Sequence, residues 1–199
     1  AYDEILDLSG DVDAVAVGEY DYIIRHLAQV LAQKKSLSEV DGLIFKQGQE
    51  IVKNKKQDYI SNLDELPFVS SVYKNHLNFR NYFNPASNYP VMMIITSRGC
   101  PHKCFFCAFP QVLHGHEYRA RSPENVVDEF EHISKTYPEI EEIGIEDDCF
   151  TIDKERLERI CDLLIERDLR IKWYCTARAD LDYSLMKKMK KAGCRLISV

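Results

Sequence analysis

No apolar run in this 199-residue chain approaches the roughly 20 residues that a helix needs to cross a bilayer, and the first residues carry no leader-peptide pattern. Positive charge is not in surplus either. Against 26 Lys and Arg stand 32 Asp and Glu, and the net charge of −6 argues against a broad nucleic-acid footprint. A secreted disulfide framework is also missing, since the seven cysteines are odd in number and their placement does not suggest one. A reducing, cytoplasmic setting is the default expectation. With 45% hydrophobic and 29% charged residues, the composition is that of an ordinary globular protein with one large domain or two smaller ones.

What the chain does have is the stretch TSRGCPHKCFFCAFP at residues 96–110, with Cys100, Cys104 and Cys107 inside eight positions. Soft donors this close together have metal-ligand spacing, because several thiolates must converge on one small inorganic centre. Gly99 and Pro101 mark the segment as a loop. Four chemistries fit the loop: an iron–sulfur cluster on three thiolates with one iron open, a zinc site completed by His102, His114 or His116, a C-x-x-C redox pair at Cys104 and Cys107, and three thiols with no ligand.

Residues 12–18, VDAVAVG, read as a buried-type strand, followed by a helix with an apolar face of Ile23, Ile24, Leu27, Val30 and Leu31. One strand and one helix cannot close a core, so this piece is expected to need partners on its N-terminal side. Glu19 is expected as a solvated carboxylate at the helix entry. Residues 41–54 read as a hairpin turning at Gly48, and an extended strap with Tyr73, Phe79, Tyr82 and Phe83 as packing residues follows.

From Pro90 the pattern becomes rhythmic. Strands are expected at residues 91–95, 140–145, 171–175 and 195–199. Between them, Ser122-Pro123 opens a helix with Val126, Val127, Phe130, Ile133 and Tyr137 inward, and Asp153 caps a second with Leu157, Ile160, Leu164 and Ile165 inward. A third, around Leu185, Met186 and Met189, ends at Gly193. Alternation of this kind predicts an α/β fold with a parallel sheet, either doubly wound or part of a barrel, whose ligands gather at the carboxyl ends of the strands. Those ends carry Glu146, Asp147 and Asp148 on the second strand and Thr176 and Arg178, two apart on one side, on the third. The guanidinium of Arg178 suits a bidentate carboxylate contact, or else a salt bridge to Asp180 or to the acidic cluster. Cys149 and Cys175 also lie near strand ends, and Arg119 and Arg121 form a basic pair expected to be solvated or ion-paired.

The C-x₃-C-x-aromatic-C signature, following a strand and an arginine–glycine pair, resembles that of radical S-adenosylmethionine (SAM) enzymes. The resemblance implies a 4Fe–4S cluster on Cys100, Cys104 and Cys107, with SAM chelating the fourth iron, and a 5′-deoxyadenosyl radical that abstracts hydrogen from an unspecified substrate. It implies that Phe106 packs near the adenine, that Asp147 or Asp148 meets the SAM amino group, and that Thr176 and Arg178 complete the SAM site. An external electron donor such as flavodoxin or ferredoxin is implied as a partner. The fold implied is an incomplete (β/α)6 barrel over residues 86–199, truncated after its first half. Residues 1–34 resemble the last strand and helix of a Rossmann-like cobalamin-binding domain, and residues 35–85 its linker with a β-hairpin. Cobalamin, with methyl transfer or rearrangement, is implied only through that resemblance, because the Asp-x-His-x-x-Gly ligand motif does not occur in the chain. A zinc-stabilised binding module is the alternative reading.

Overall fold

The computed structural model describes residues 2–8 and 10–199, and their contacts divide the chain into two units: residues 1–61 with 104–115, and residues 62–103 with 116–199. No helix of the described residues is long and apolar enough to cross a membrane.

The first unit holds α1 (Tyr2–Leu8), β1 (Ala14–Ala16), α2 (Asp21–Ala32), β2 (Leu43–Gln47) and β3 (Glu50–Lys53). The expected hairpin is present, with Gly48 in its turn at φ +65°. The strand expected to lack partners within the chain does not lack them. Its middle, β1, pairs antiparallel with β2, Ala14 opposite Phe45, in a sheet ordered β1-β2-β3. Ile23, Val30, Val40, Leu43 and Phe45 form a small core. Ile24 and Leu31, expected inward, are exposed, because three short strands cover only a narrow stripe of α2. Glu19 is likewise not solvated. It is buried, and its Oε2 accepts the Ile60 amide at 3.0 Å.

The second unit begins with α3 (Val69–His76), which lies in the segment expected to be extended. Then come β4 (Val91–Ile94), the two-residue strands β5 (Ser97–Arg98) and β6 (Arg119–Ala120), α4 (Pro123–Thr136), β7 (Glu142–Ile145), α5 (Lys154–Glu166), β8 (Lys172–Thr176), α6 (Tyr183–Lys191) and β9 (Cys194–Ser198). The caps are those the sequence predicts: the Ser122 hydroxyl accepts the Asn125 amide at 3.2 Å, and Asp153 accepts that of Arg156 at 2.9 Å. Strands β4, β7, β8 and β9 form a parallel sheet in the order β4-β7-β8-β9, and β5 and β6 pair antiparallel beside it.

Period-two alternation decides which face is covered. Met92, Ile94, Ile143, Ile145, Trp173 and Cys175 share one core with the inward residues of α4, α5 and α6, so all three crossover helices pack on one face. The other face carries Val91, Met93, Glu142, Gly144, Tyr174 and Thr176. Helix α3 closes the β4 edge, where the Tyr73 hydroxyl donates to the Met93 carbonyl at 3.1 Å and that of Tyr137 to Ser70 at 2.6 Å.

Two buried carboxylates fasten this unit. Glu142 opens β7 with no exposure and accepts from Arg195 Nε at 2.5 Å, Arg195 Nη2 at 2.9 Å and the Asn88 amide at 2.7 Å. Glu129, also with none, accepts from Arg121 Nη1 at 2.5 Å and from the Ser70 amide and hydroxyl at 3.1 and 2.8 Å. Arg121 is thus ion-paired, as expected, but buried. A buried pair is costly to half-remove, because the surviving charge stays in a low-dielectric site. Glu129→Ala is therefore expected to destabilise the protein by about 3–5 kcal/mol, measured by urea denaturation. Gly144 is a second sensitive point: a Cβ there would lie 2.4 Å from the Tyr174 hydroxyl. Gly144→Ala is expected to cost about 1–3 kcal/mol by overpacking, read from the same denaturation midpoint.

Candidate functional site

The cysteine loop leaves the carboxyl end of β4, and its first residues are held by hydrogen bonds rather than by a regular ladder. Thr96 has every polar group engaged. Its amide donates to Asp147 Oδ1 at 2.6 Å and its hydroxyl to Asp147 Oδ2 at 2.6 Å. Its carbonyl accepts from the Arg121 amide at 2.9 Å and from Arg156 Nη2 at 3.0 Å. The Ser97 hydroxyl adds a third donor to Asp147, at 2.5 Å to Oδ2. Gly99, in the left-handed region at φ +80°, points its amide at Asp148 Oδ2 over 3.1 Å.

This arrangement separates the two aspartates that the sequence left interchangeable. Asp147 is only 3% exposed and faces inward onto Thr96 and Ser97. Burial raises its pKa, while the hydrogen bonds from Ser97 and Thr96 and the nearby Arg156 charge oppose that shift. Asp148 is half-buried, and Glu146 is exposed with its Oε1 accepting the Tyr174 hydroxyl at 2.8 Å. At the end of β8, the Thr176 hydroxyl donates to the Asp147 carbonyl at 2.6 Å. Arg178 is exposed, and its Nε donates to Asp180 Oδ2 at 3.3 Å, the salt bridge weighed from the sequence.

Cys100, in the second unit, is half-buried, and its carbonyl lies 3.0 Å from His116 Nδ1. In the first unit, Cys104 and Cys107 are also half-buried, with the Cys107 amide donating to the Cys104 carbonyl at 3.0 Å. Phe105 and Phe106 meet edge to face with centroids 5.4 Å apart, both exposed, as is Phe109. Among the described residues, no three His, Cys, Asp or Glu side chains are gathered closely enough to hold a metal ion. The chemistry of the donor set nevertheless fits a soft centre. The three loop thiols are partly accessible, whereas Cys149, Cys161, Cys175 and Cys194 are buried. Burial pushes the Cys161 thiol up to about 12, and a hydrogen bond with Cys194 together with burial raises Cys175, so neither forms a ready thiolate ligand.

Arg156 was missed by the sequence reading. It is buried, with Nε donating to the Arg121 carbonyl at 2.8 Å and its guanidinium 5.8 Å from the Phe150 ring centroid. Its spacing carried the signal, since it precedes Ile160 and Leu164 by four and eight residues on the inward stripe of α5.

An uncharacterized methyltransferase of Pyrococcus horikoshii is 30% identical over 187 residues, covering 94% of this chain and 39% of that protein. The anaerobic magnesium-protoporphyrin IX monomethyl ester cyclase of Cereibacter sphaeroides is 27% identical, over 98% of this chain and 32% of its own length. The chain thus spans roughly a third of the curated relatives it matches. Among solved structures, the cobalamin-dependent SAM radical enzyme OxsB, with aqua-cobalamin and SAM bound, superposes with a TM-score of 0.70 at 22% identity, over 98% of this chain and 28% of that one. The model of the radical SAM superfamily matches residues 94–199, from the end of β4 through the cysteine loop to the last strand, and the chain belongs to that superfamily.

Proposed function

We propose that this chain is part of a cobalamin-dependent radical SAM enzyme in which Cys100, Cys104 and Cys107 hold a 4Fe–4S cluster and SAM binds at the iron they leave open. The observation that carries the reading is that the chain runs from the carboxyl end of β4, the first strand of a parallel sheet, directly into the C-x₃-C-x₂-C motif within the matched family region. Bound there, the cluster and SAM would supply a hydrogen-abstracting 5′-deoxyadenosyl radical, and the protein would bind, orient and shield.

The chain's own residues divide that work. Asp148, the more open of the two aspartates, is the proposed partner of the SAM amino group. Asp147, turned inward, supports the loop. Arg178 is exposed and pairs with Asp180 at the surface, a weak contact that its guanidinium can exchange for a ligand carboxylate. Thr176 donates its one proton to Asp147 and keeps acceptor lone pairs. Phe106 offers an exposed ring for the adenine.

The finer architecture belongs to the same proposal. Residues 86–199 would form the first half of a (β/α)6 barrel, which the single helix-covered face supports. Residues 1–34 would be the end of a Rossmann-like cobalamin-binding domain, with 35–85 as its linker. Methyl transfer to a substrate is favoured by the methyltransferase among the relatives, and an external donor such as flavodoxin or ferredoxin would reduce the cluster.

Iron and zinc analysis with EPR, on full-length protein reconstituted without oxygen, tests the reading. The expected result is about four irons per chain and a reduced-cluster signal that SAM perturbs, both lost when Cys100, Cys104 or Cys107 is replaced by Ala. One tightly held zinc and no iron would sink the enzyme reading and promote the zinc-stabilised module. Arg178→Lys is expected to retain iron but to weaken SAM binding roughly 10-fold, because a bidentate charged contact is reduced to a single one. Titration of the SAM-induced EPR change measures this.

A further inference from the structure

We infer that Asp147 and Arg156 are positioning residues that clamp Thr96 and thereby fix the direction in which the cysteine loop leaves β4 towards Cys100. The inference rests on the cluster reading above, but its evidence is independent of any ligand.

Thr96 sits four residues before Cys100 and is gripped from two sides. Asp147, on the strand end next to β4, takes its amide and hydroxyl. Arg156, from the first turn of α5, takes its carbonyl. The same two residues tie in their surroundings. Asp147 also receives the Ser97 hydroxyl, and Arg156 also donates to the Arg121 carbonyl, which places its fork across both strands that flank the loop. A second attachment follows at Gly99, whose amide meets Asp148 one residue before the first thiol.

An ordinary strand end needs none of this. A parallel strand terminates satisfactorily against water, yet here a buried carboxylate and a buried guanidinium, both costly to desolvate, converge on Thr96 and its neighbours Ser97 and Arg121. Stability alone is a poor explanation, because well-packed apolar residues would do as well in that position. What the clamp provides instead is a fixed departure direction for the chain leading to Cys100. Groups that hold metal ligands from behind tune retention of the metal without touching it.

The test uses full-length protein loaded with iron and sulfide, without SAM. The readouts are the rate of iron release to bathophenanthroline and the EPR spectrum of the reduced cluster. Thr96→Val, which removes only the hydroxyl donor, is expected to release iron on the order of 10-fold faster than the parent and to alter the EPR line shape. Thr96→Ser, which restores the hydroxyl, is expected to return both to parental values. Asp147→Asn should resemble Thr96→Val if it folds. If it does not, the threonine pair carries the test, since a merely structural role would lower denaturation midpoints without changing the spectrum of folded protein. A parent that binds no iron overturns the cluster reading and the clamp with it. A parent that binds iron, with a Thr96→Val variant that retains it at the parental rate, overturns the clamp alone.

Discussion

A carboxylate taken out of water is tolerable only where donors replace the lost hydration, and Asp147 shows how much of the second unit that constraint organises. Its three donors come from Thr96 and Ser97. The chain must therefore turn at the end of β4, instead of running on in the sheet, to bring those groups to it. That turn sends Ser97 and Arg98 into pairing with β6, and β6 leads straight to Arg121, whose guanidinium then reaches Glu129. One buried acid at a strand end thus links the loop, the small ribbon and the ion pair beneath α4.

The sheet itself is asymmetric in a way that bears on its use. All three crossover helices cover the face of Ile94, Ile145 and Cys175, and the opposite face carries Glu142, Gly144, Tyr174 and Thr176. A doubly wound sheet has helices on both faces and near-continuous apolar strands. A sheet that closes on itself can instead place polar side chains on its concave side. The Tyr174 hydroxyl, between Asn84 and Glu146 and directly over Gly144, has a polar partner at each side. That one-sided cover is what the proposed barrel segment requires.

Much of this was legible in the sequence because two signals, period and punctuation, act locally. The four parallel strands fall within a few residues of their expected positions, and Ser122 and Asp153 cap as their type and place dictate. What was not legible depended on partners distant in sequence. Nothing near Glu19 announces that the Ile60 amide will come to it, 41 residues on. The strand at β1 looked orphaned because its partner is a hairpin that itself reads as a free-standing linker. Helix α3 was hidden by weak amphipathicity, since Ser70, its one buried residue, is polar and is drawn inward by Glu129. Arg156 and Glu129 lay in plain view on apolar stripes, but a charge in such a position is readable only once its counterpart is known. The aspartate pair at residues 147 and 148 stood out by its place at a strand end and by the resemblance to the family. Which of the two turns inward is set by strand alternation, and a one-residue error in where β7 ends reverses the answer.

The cysteines show the same division between composition and environment. As a count, seven thiols suggest nothing about which are ligands. In the fold, Cys149, Cys161, Cys175 and Cys194 are buried, and for Cys161 and Cys175 burial and thiol–thiol contact disfavour the thiolate. These side chains behave as small apolar residues. Cys175 shows why position along a strand is not enough. It lies one residue from the strand end, yet alternation sends it to the helix-covered face while Thr176 beside it stays half-exposed. Proximity to the carboxyl ends of the strands therefore nominates more residues than can act. Face removes Cys175 from that set, and among the described cysteines only the three loop thiols are partly accessible.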